Sequence, residues 1–180
     1  MYEGGSPNQM NRFNNLSKDA KVVYLLSLSN LIINKISESK GFEVAVESLE
    51  KAWEWLKLKD FDADSLYVYL ENIDETDIMT YMQLADDKDN EKVWICIGNA
   101  LAYTIWEAYQ YEKEKYLPQT IESVDYQTVE SFITNFEKVY ENNSISDKLL
   151  HFLEENYPKN ADKRVDLISI KTFIDESIEK

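Results

Sequence analysis

A chain of 180 residues is long enough for one domain with one hydrophobic core, and its 44% hydrophobic content excludes a largely disordered protein. The net charge of −15 at pH 7 opposes binding to nucleic acids and to anionic membrane surfaces. The same charge attracts a basic protein, although from charge alone solubility is the simpler interpretation. With only four glycines and three prolines to form turns, the composition predicts an all-α protein.

The N-terminal segment offers little apolar surface to bury, because it contains Gly4-Gly5-Ser6-Pro7. We therefore expect residues 1–9 to form a flexible leader and residues 10–180 to form a single all-α domain, with ordered structure beginning between Met10 and Ser17. Met10 is either the start of the ordered protein or an alternative initiation site. No signal-peptide pattern precedes the first helix and no apolar run reaches membrane-spanning length, which predicts a cytoplasmic protein.

The spacing of apolar residues predicts about seven or eight helices packed around one central apolar helix. Five predicted helices cover about residues 17–40, 42–57, 66–73, 74–86 and 91 to the break at Pro118. Three further helices are predicted around the apolar residues within 129–140, 149–153 and 167–178. Gly41 is suited to a left-handed cap after the first of them, and Ser123 and Asp125 are both capping candidates for the sixth. The helix that begins near Glu91 is apolar over most of its circumference, so it is predicted to be the central one.

The sequence does not contain the residue sets that common enzymes require. His151 is the only histidine. A Ser-His-Asp or Cys-His catalytic arrangement would therefore have to use this residue, and a helix-bundle di-iron centre would need a second histidine. Cys96 lies in the apolar run Val93–Ile97 and is predicted to be an inert core thiol. Gly-rich phosphate loops and HExxH helices are missing from the chain. We therefore predict a protein that is not an enzyme and uses no cofactor.

Three alternating aspartates, Asp60, Asp62 and Asp64, are followed by Glu71 at the twelfth position, which is the ligand spacing of a calcium-binding loop. However, Ser65 occupies the position where the sharp turn needs glycine, and the next residues continue a helical pattern. We interpret the carboxylates as helix caps and predict no metal site.

The middle of the chain resembles the sixth immunity-protein family of bacterial polymorphic toxin systems. The resemblance is carried by the turn Ala52-Trp53-Glu54-Trp55 and by the segment Ala100–Val124, and it fades toward the C-terminus. It implies an all-helical cytoplasmic antidote that binds a co-encoded toxin domain, with a nuclease as one candidate class of toxin. The runner-up interpretation is a helical regulatory or adaptor protein that binds a different protein partner.

Two surfaces are candidates for binding such a partner. Trp53, Trp94 and Trp106 are predicted to be core residues. Trp55 lies on the opposite face from Trp53, either as an exposed anchor beside Asp60, Asp62 and Asp64 or packed under the loop by Phe61. The second candidate surface contains Tyr103, Glu107 and Tyr111, because an ionised Glu107 is expected to reach the rim of the central helix. An enzyme that uses Glu107 or the aspartates would require a bound metal or a deep polar pocket.

Overall fold

A computed structural model describes residues 7–141 and 144–179. Within those ranges the chain forms ten α-helices and one 3₁₀ helix, and no strand is formed. The helices are α1 Pro7–Asn14, α2 Lys18–Ile32, the 3₁₀ helix Ile33–Ile36, α3 Phe42–Leu58, α4 Ala63–Leu70, α5 Ile78–Gln83, α6 Lys88–Glu112, α7 Gln119–Glu122, α8 Tyr126–Val139, α9 Ser144–Asn156 and α10 Leu167–Ile178. The all-α prediction is confirmed.

Helix α6 is the central helix, as the sequence predicted. It packs against α2, α3, α4, α5, α7 and α8, and its largest interface is with α8. The Asp87 carboxylate caps its first turn by accepting from the backbone N–H groups of Asp89 and Asn90. The helix ends at Lys113, which has a positive φ of 60°. Because helices surround α6 on most sides, an apolar circumference is stable there.

The N-terminal boundary differs from the prediction. Helix α1 begins at Pro7, so the expectation that order begins between Met10 and Ser17 is wrong. Gln9 is buried and its side-chain amide donates to Ser146 Oγ at 3.1 Å. Met10 is only 2% exposed. These contacts attach α1 to α9. The first six residues lie outside the described ranges, so a leader there stays a prediction.

The connection between α2 and α3 contains a glycine that cannot be replaced without strain. The first predicted helix ends early, because α2 stops at Ile32 and a 3₁₀ turn follows. Gly41 then adopts the predicted left-handed conformation, with φ of 90°. A Cβ atom built on it would lie 2.4 Å from the ring of Tyr81. The turn therefore requires glycine for its backbone and for the packing of α5.

Candidate functional site

Trp55 is buried, so the prediction that it is an exposed anchor is wrong. Its side chain is 1% exposed, whereas Trp53, which was predicted to be core, is half-buried. The buried face of α3 includes Ser48, whose hydroxyl donates to the Ala45 carbonyl at 2.8 Å. A serine that satisfies its hydroxyl within its own helix can occupy a core position. Apolar spacing alone therefore assigned Trp53 rather than Trp55 to the buried face of α3.

Lys59 and Tyr111 cover Trp55 from the outside. The ammonium of Lys59 lies 3.5 Å from the centroid of the Trp55 ring and forms an ion pair with Asp19 at 3.0 Å. Burial lowers the pKa of Lys59, and the carboxylate of Asp19 opposes that shift. Tyr111 makes an edge-to-face contact with Trp55, with ring centroids 6.3 Å apart. These contacts join α3 to α6 and to α2, so Trp55 has a structural role.

Tyr103 and Glu107 are also buried, so the second candidate surface is wrong for these two residues. They are 7% and 5% exposed, and the Tyr103 hydroxyl donates to Glu107 at 3.4 Å. Phe13 of α1 packs edge-on against Tyr103, with centroids 5.8 Å apart. Helix α1, which was not predicted from the sequence, covers this side of α6. Burial raises the pKa of Glu107, while Lys18 and Lys21 among the nearby cations lower it.

The three aspartates and Tyr111 remain at the surface. Asp62 caps α4 by accepting from the backbone N–H of Ser65 at 2.8 Å, as the capping interpretation predicted. Asp64 accepts from the Tyr109 hydroxyl, so it attaches α4 to the last turns of α6. Tyr111 is 60% exposed on the same end of α6. The structure therefore brings Asp60, Asp62, Asp64 and Tyr111 to one end of the molecule.

The calcium spacing does not form a loop. Glu71, the twelfth residue of the spacing, accepts from Tyr67 and Thr120 at the far end of α4. Helix α4 separates it from Asp62. In the described part of the chain, no three His, Cys, Asp or Glu side chains form a group suited to a metal ion.

The aspartates belong to a larger acidic surface, which we define as residues 60–91 with α4 and α5 at its centre. This segment contains eleven Asp or Glu residues and one lysine, so it carries a net charge of −10 out of the −15 of the chain. All of these carboxylates except Asp77 are exposed. Ile73, Leu84 and Val68 are 94%, 58% and 51% exposed among them. The extent of this surface was not predicted from the sequence, although a running count of charge along the chain would have found it.

A second surface lies on the other side of α3. Helix α10, α2 and α3 enclose a groove of about 920 Å³ whose lining includes Leu31, Trp53 and Ile168. The indole N–H of Trp53 is out of contact with solvent and has no hydrogen-bond partner within the described residues. Two lysines, Lys57 and Lys171, also line the groove. With Asp175 also in its lining, the groove is mostly apolar and carries charges of both signs, in contrast to the acidic surface.

Cys96 is a buried free thiol on α6, as predicted, and its Sγ lies 3.6 Å from the Phe132 carbonyl oxygen. Burial raises its pKa, which keeps the thiol protonated and unreactive. None of the helices in the described ranges has the length and apolar character needed to cross a membrane.

Comparison with known proteins identifies the family. No curated protein and no solved structure matches the chain. The family model described as immunity protein Imm6 matches residues 20–139, a segment that contains α3 to α8 and the whole acidic surface. The chain therefore belongs to the Imm6 family of immunity proteins.

Proposed function

We propose that this protein binds a cognate toxin in the cytoplasm of the cell that produces both, and neutralises it by occupying the toxin rather than by a reaction of its own. The family match over residues 20–139 carries this proposal, because the family is described as an immunity protein. A regulator or adaptor for another partner has no separate observation in its favour.

We propose the acidic surface as the contact with the toxin. It lies within the segment that the family model matches, and it holds most of the net charge of the chain. Exposed aliphatic side chains such as Ile73 and Leu84 provide apolar contact area between the carboxylates. This combination suits a partner with a basic surface, since opposite charges accelerate the encounter and apolar anchors slow dissociation.

A nuclease is the toxin class that fits this surface best. Enzymes that bind nucleic acid carry lysine and arginine side chains that contact phosphates. The acidic surface carries a net charge of −10 over 32 residues. Its carboxylates can therefore bind the lysine and arginine side chains that otherwise bind the phosphates of the nucleic acid. We therefore propose that the inhibitor covers the nucleic-acid-binding face of its toxin.

Co-expression tests the proposed function. The toxin domain encoded next to this protein is expressed from an inducible promoter, with and without this protein, and growth is measured. Rescue of growth is expected, together with a stable complex between the two purified proteins. A toxin that kills equally well in the presence of the folded protein would contradict the proposal.

Binding kinetics test the proposed surface. The variant combines Asp60→Asn, Asp74→Asn, Glu75→Gln and Asp86→Asn, and leaves the capping carboxylates unchanged. We expect the association rate to fall by roughly tenfold at low salt and to depend less on ionic strength. The matched control neutralises exposed carboxylates of α10 with Asp175→Asn and Glu176→Gln. The surface variant removes four charges and the control removes two, so an equal effect per charge removed would show that only total charge matters and that the surface is wrong.

A further inference from the structure

A cleft of about 180 Å³ opens between α5, α6 and α7, beside the acidic surface. We call it the Met79 cleft. Its apolar walls are formed by Met79, Met82, Ile95, Gly98, Ala102 and Val124. Ile95 belongs to the central helix, yet it is only half-buried because the cleft opens in front of it. Two flexible methionine side chains make a wall that can adapt to the shape of an inserted group.

Gly98 leaves space in this cleft that the fold itself does not use. A glycine within a helix is less stable than an alanine, so it is expected where a Cβ atom would collide. A Cβ atom on Gly98 would meet a single side-chain atom, Cγ2 of Ile78, at an ordinary contact distance of 3.6 Å. Gly41, by contrast, has no room for a Cβ atom. The packing of this chain therefore requires glycine at position 41 but not at position 98.

A carboxylate, that of Glu71, lies beside the Met79 cleft and is hydrogen-bonded to one of the residues that line it. Thr120 lines the cleft and donates its hydroxyl hydrogen to Glu71 Oε2 at 2.9 Å. Tyr67 donates to the same oxygen at 2.6 Å, and these two hydrogen bonds lower the pKa of Glu71. The carboxylate is therefore ionised at neutral pH. Its other oxygen, Oε1, makes no hydrogen bond to the described residues and is free to accept one.

We propose that the Met79 cleft receives one basic side chain of the bound partner, a lysine or an arginine. The aliphatic stem lies against Met79 and Met82, and the charged head binds Glu71. Both side chains combine a flexible apolar stem with a cationic end, which matches apolar walls below a carboxylate. A second copy of this acidic chain is repelled by its charge, and an acidic side chain would meet Glu71 directly. The identity of the partner as a toxin rests on the proposed function.

The chemistry of the cleft is tested on the isolated protein with small probes. The probes are n-propylguanidinium for arginine and n-butylammonium for lysine, and the controls are n-butanol and n-butyrate. Methionine methyl groups labelled with ¹³C report binding in an NMR titration, and the chain has four methionines. We expect saturable shifts of the Met79 and Met82 signals with a Kd of about 10 mM for a cation of this size. The buried Met10 signal should not move.

Two variants make the test specific. Gly98→Ala adds a methyl group to the cleft, so it should weaken probe binding while raising the thermal midpoint by roughly 2–4 °C. Glu71→Gln removes the charge beside the cleft and should weaken binding of the cations by about threefold to fivefold. Glu176→Gln, which changes an exposed carboxylate on α10 outside the acidic surface, is the matched control.

Several results would overturn the proposal. Equal binding of n-butanol and the cations would show an apolar site without charge selection. Absent or non-saturable shifts, or Gly98→Ala binding the probes as well as wild type does, would remove the site. These probe experiments do not depend on the toxin. Probe binding without growth rescue therefore contradicts the proposed function alone, and growth rescue without probe binding contradicts the cleft alone.

Discussion

The central helix α6 and the C-terminal helix α10 are built from similar apolar residues but are packed very differently. Helix α6 buries fourteen of its 25 residues, whereas α10 buries three of twelve. Helix α6 is surrounded by other helices, while α10 packs chiefly against α9. Only α6 lies in the segment that the family model matches. The number of neighbouring helices, rather than the apolar content of a helix, therefore decides how deeply the helix is buried.

The largest expected effect concerns the two tryptophans of α3, since Trp55 faces α6 and Trp53 lines the groove at α10. Trp55→Ala should lower the free energy of unfolding by about 3–5 kcal/mol, because a fully buried aromatic side chain is lost. Trp53→Ala, the matched control, should cost about 1–2 kcal/mol because its side chain is already half-exposed. Urea denaturation measures both values. Equal losses would show that α10 supports the fold as strongly as α6 does.

A smaller effect is expected for phenylalanine on α8 and on α10. Phe136 is fully buried and stacks on Phe132 and Tyr140, with ring centroids at 6.2 and 5.2 Å. Phe173 is half-buried and stacks on Phe152 at 4.4 Å. We expect Phe136→Leu to cost about 1–2 kcal/mol and Phe173→Leu less than about 1 kcal/mol. A larger loss at Phe173 would mean that the α9–α10 contact is part of the main core.

Much of the fold could be predicted from the sequence, because strong helical spacing and caps act locally. The class, the central helix, the left-handed conformation of Gly41 and the capping by Asp62 and Asp125 are confirmed, although Gly41 precedes α3 instead of ending the first helix. The helical structure of α1 was not predicted because α1 is stabilised by contacts with residues distant in the sequence, on α9. Gln9 binds Ser146, and Arg12 forms ion pairs on α9. No local pattern reports such contacts.

The candidate site was predicted only in part, for a related reason. The aspartates were recognised because charge near a helix start favours exposure and capping. The position of Trp55 was predicted wrongly because the buried face of α3 includes a polar residue, Ser48. The Ser48 hydroxyl donates to a carbonyl of its own helix, so Ser48 can be buried on the same face as Trp55. Glu107 was misplaced because a carboxyl was expected to reach solvent, whereas α6 has neighbours on that side too. Tertiary packing overrides polarity at both positions.

The buried carboxyl of Glu107 makes the stability contributed by α6 depend on pH. Helix α10 buries no acidic or basic side chain, so it has no comparable pH dependence. A carboxyl whose pKa is raised on folding binds its proton more tightly in the folded protein. Its contribution to stability is therefore present below the ordinary value of 4.5 and is lost as the pH rises through the folded pKa. The glutamine of Glu107→Gln is neutral at every pH. As the pH rises from 4.5 toward 7, the free energy of unfolding of this variant should therefore increase relative to that of wild type.

Denaturation at several pH values measures this difference, with Glu176→Gln on exposed α10 as the control. The control should follow wild type over the whole range. If Glu107→Gln instead loses stability toward neutral pH, the nearby lysines hold the carboxylate ionised more strongly than burial opposes it. The interior of the α2–α6 interface would then contain an ion pair network rather than a neutral acid.

The smallest expected effects come from the same substitution, isoleucine to valine, at one buried and one exposed position. Ile105 on α6 is fully buried, while Ile168 on α10 is 79% exposed. Ile105→Val removes one methylene from a close-packed core and should cost about 0.5–1.5 kcal/mol. Ile168→Val changes contact mainly with solvent and should alter stability by less than about 0.5 kcal/mol. Thermal denaturation of the two variants and wild type under one condition resolves this difference. If Ile168→Val matched Ile105→Val, the groove between α10 and α3 would be closed in solution, and α10 would belong to the same core as α6.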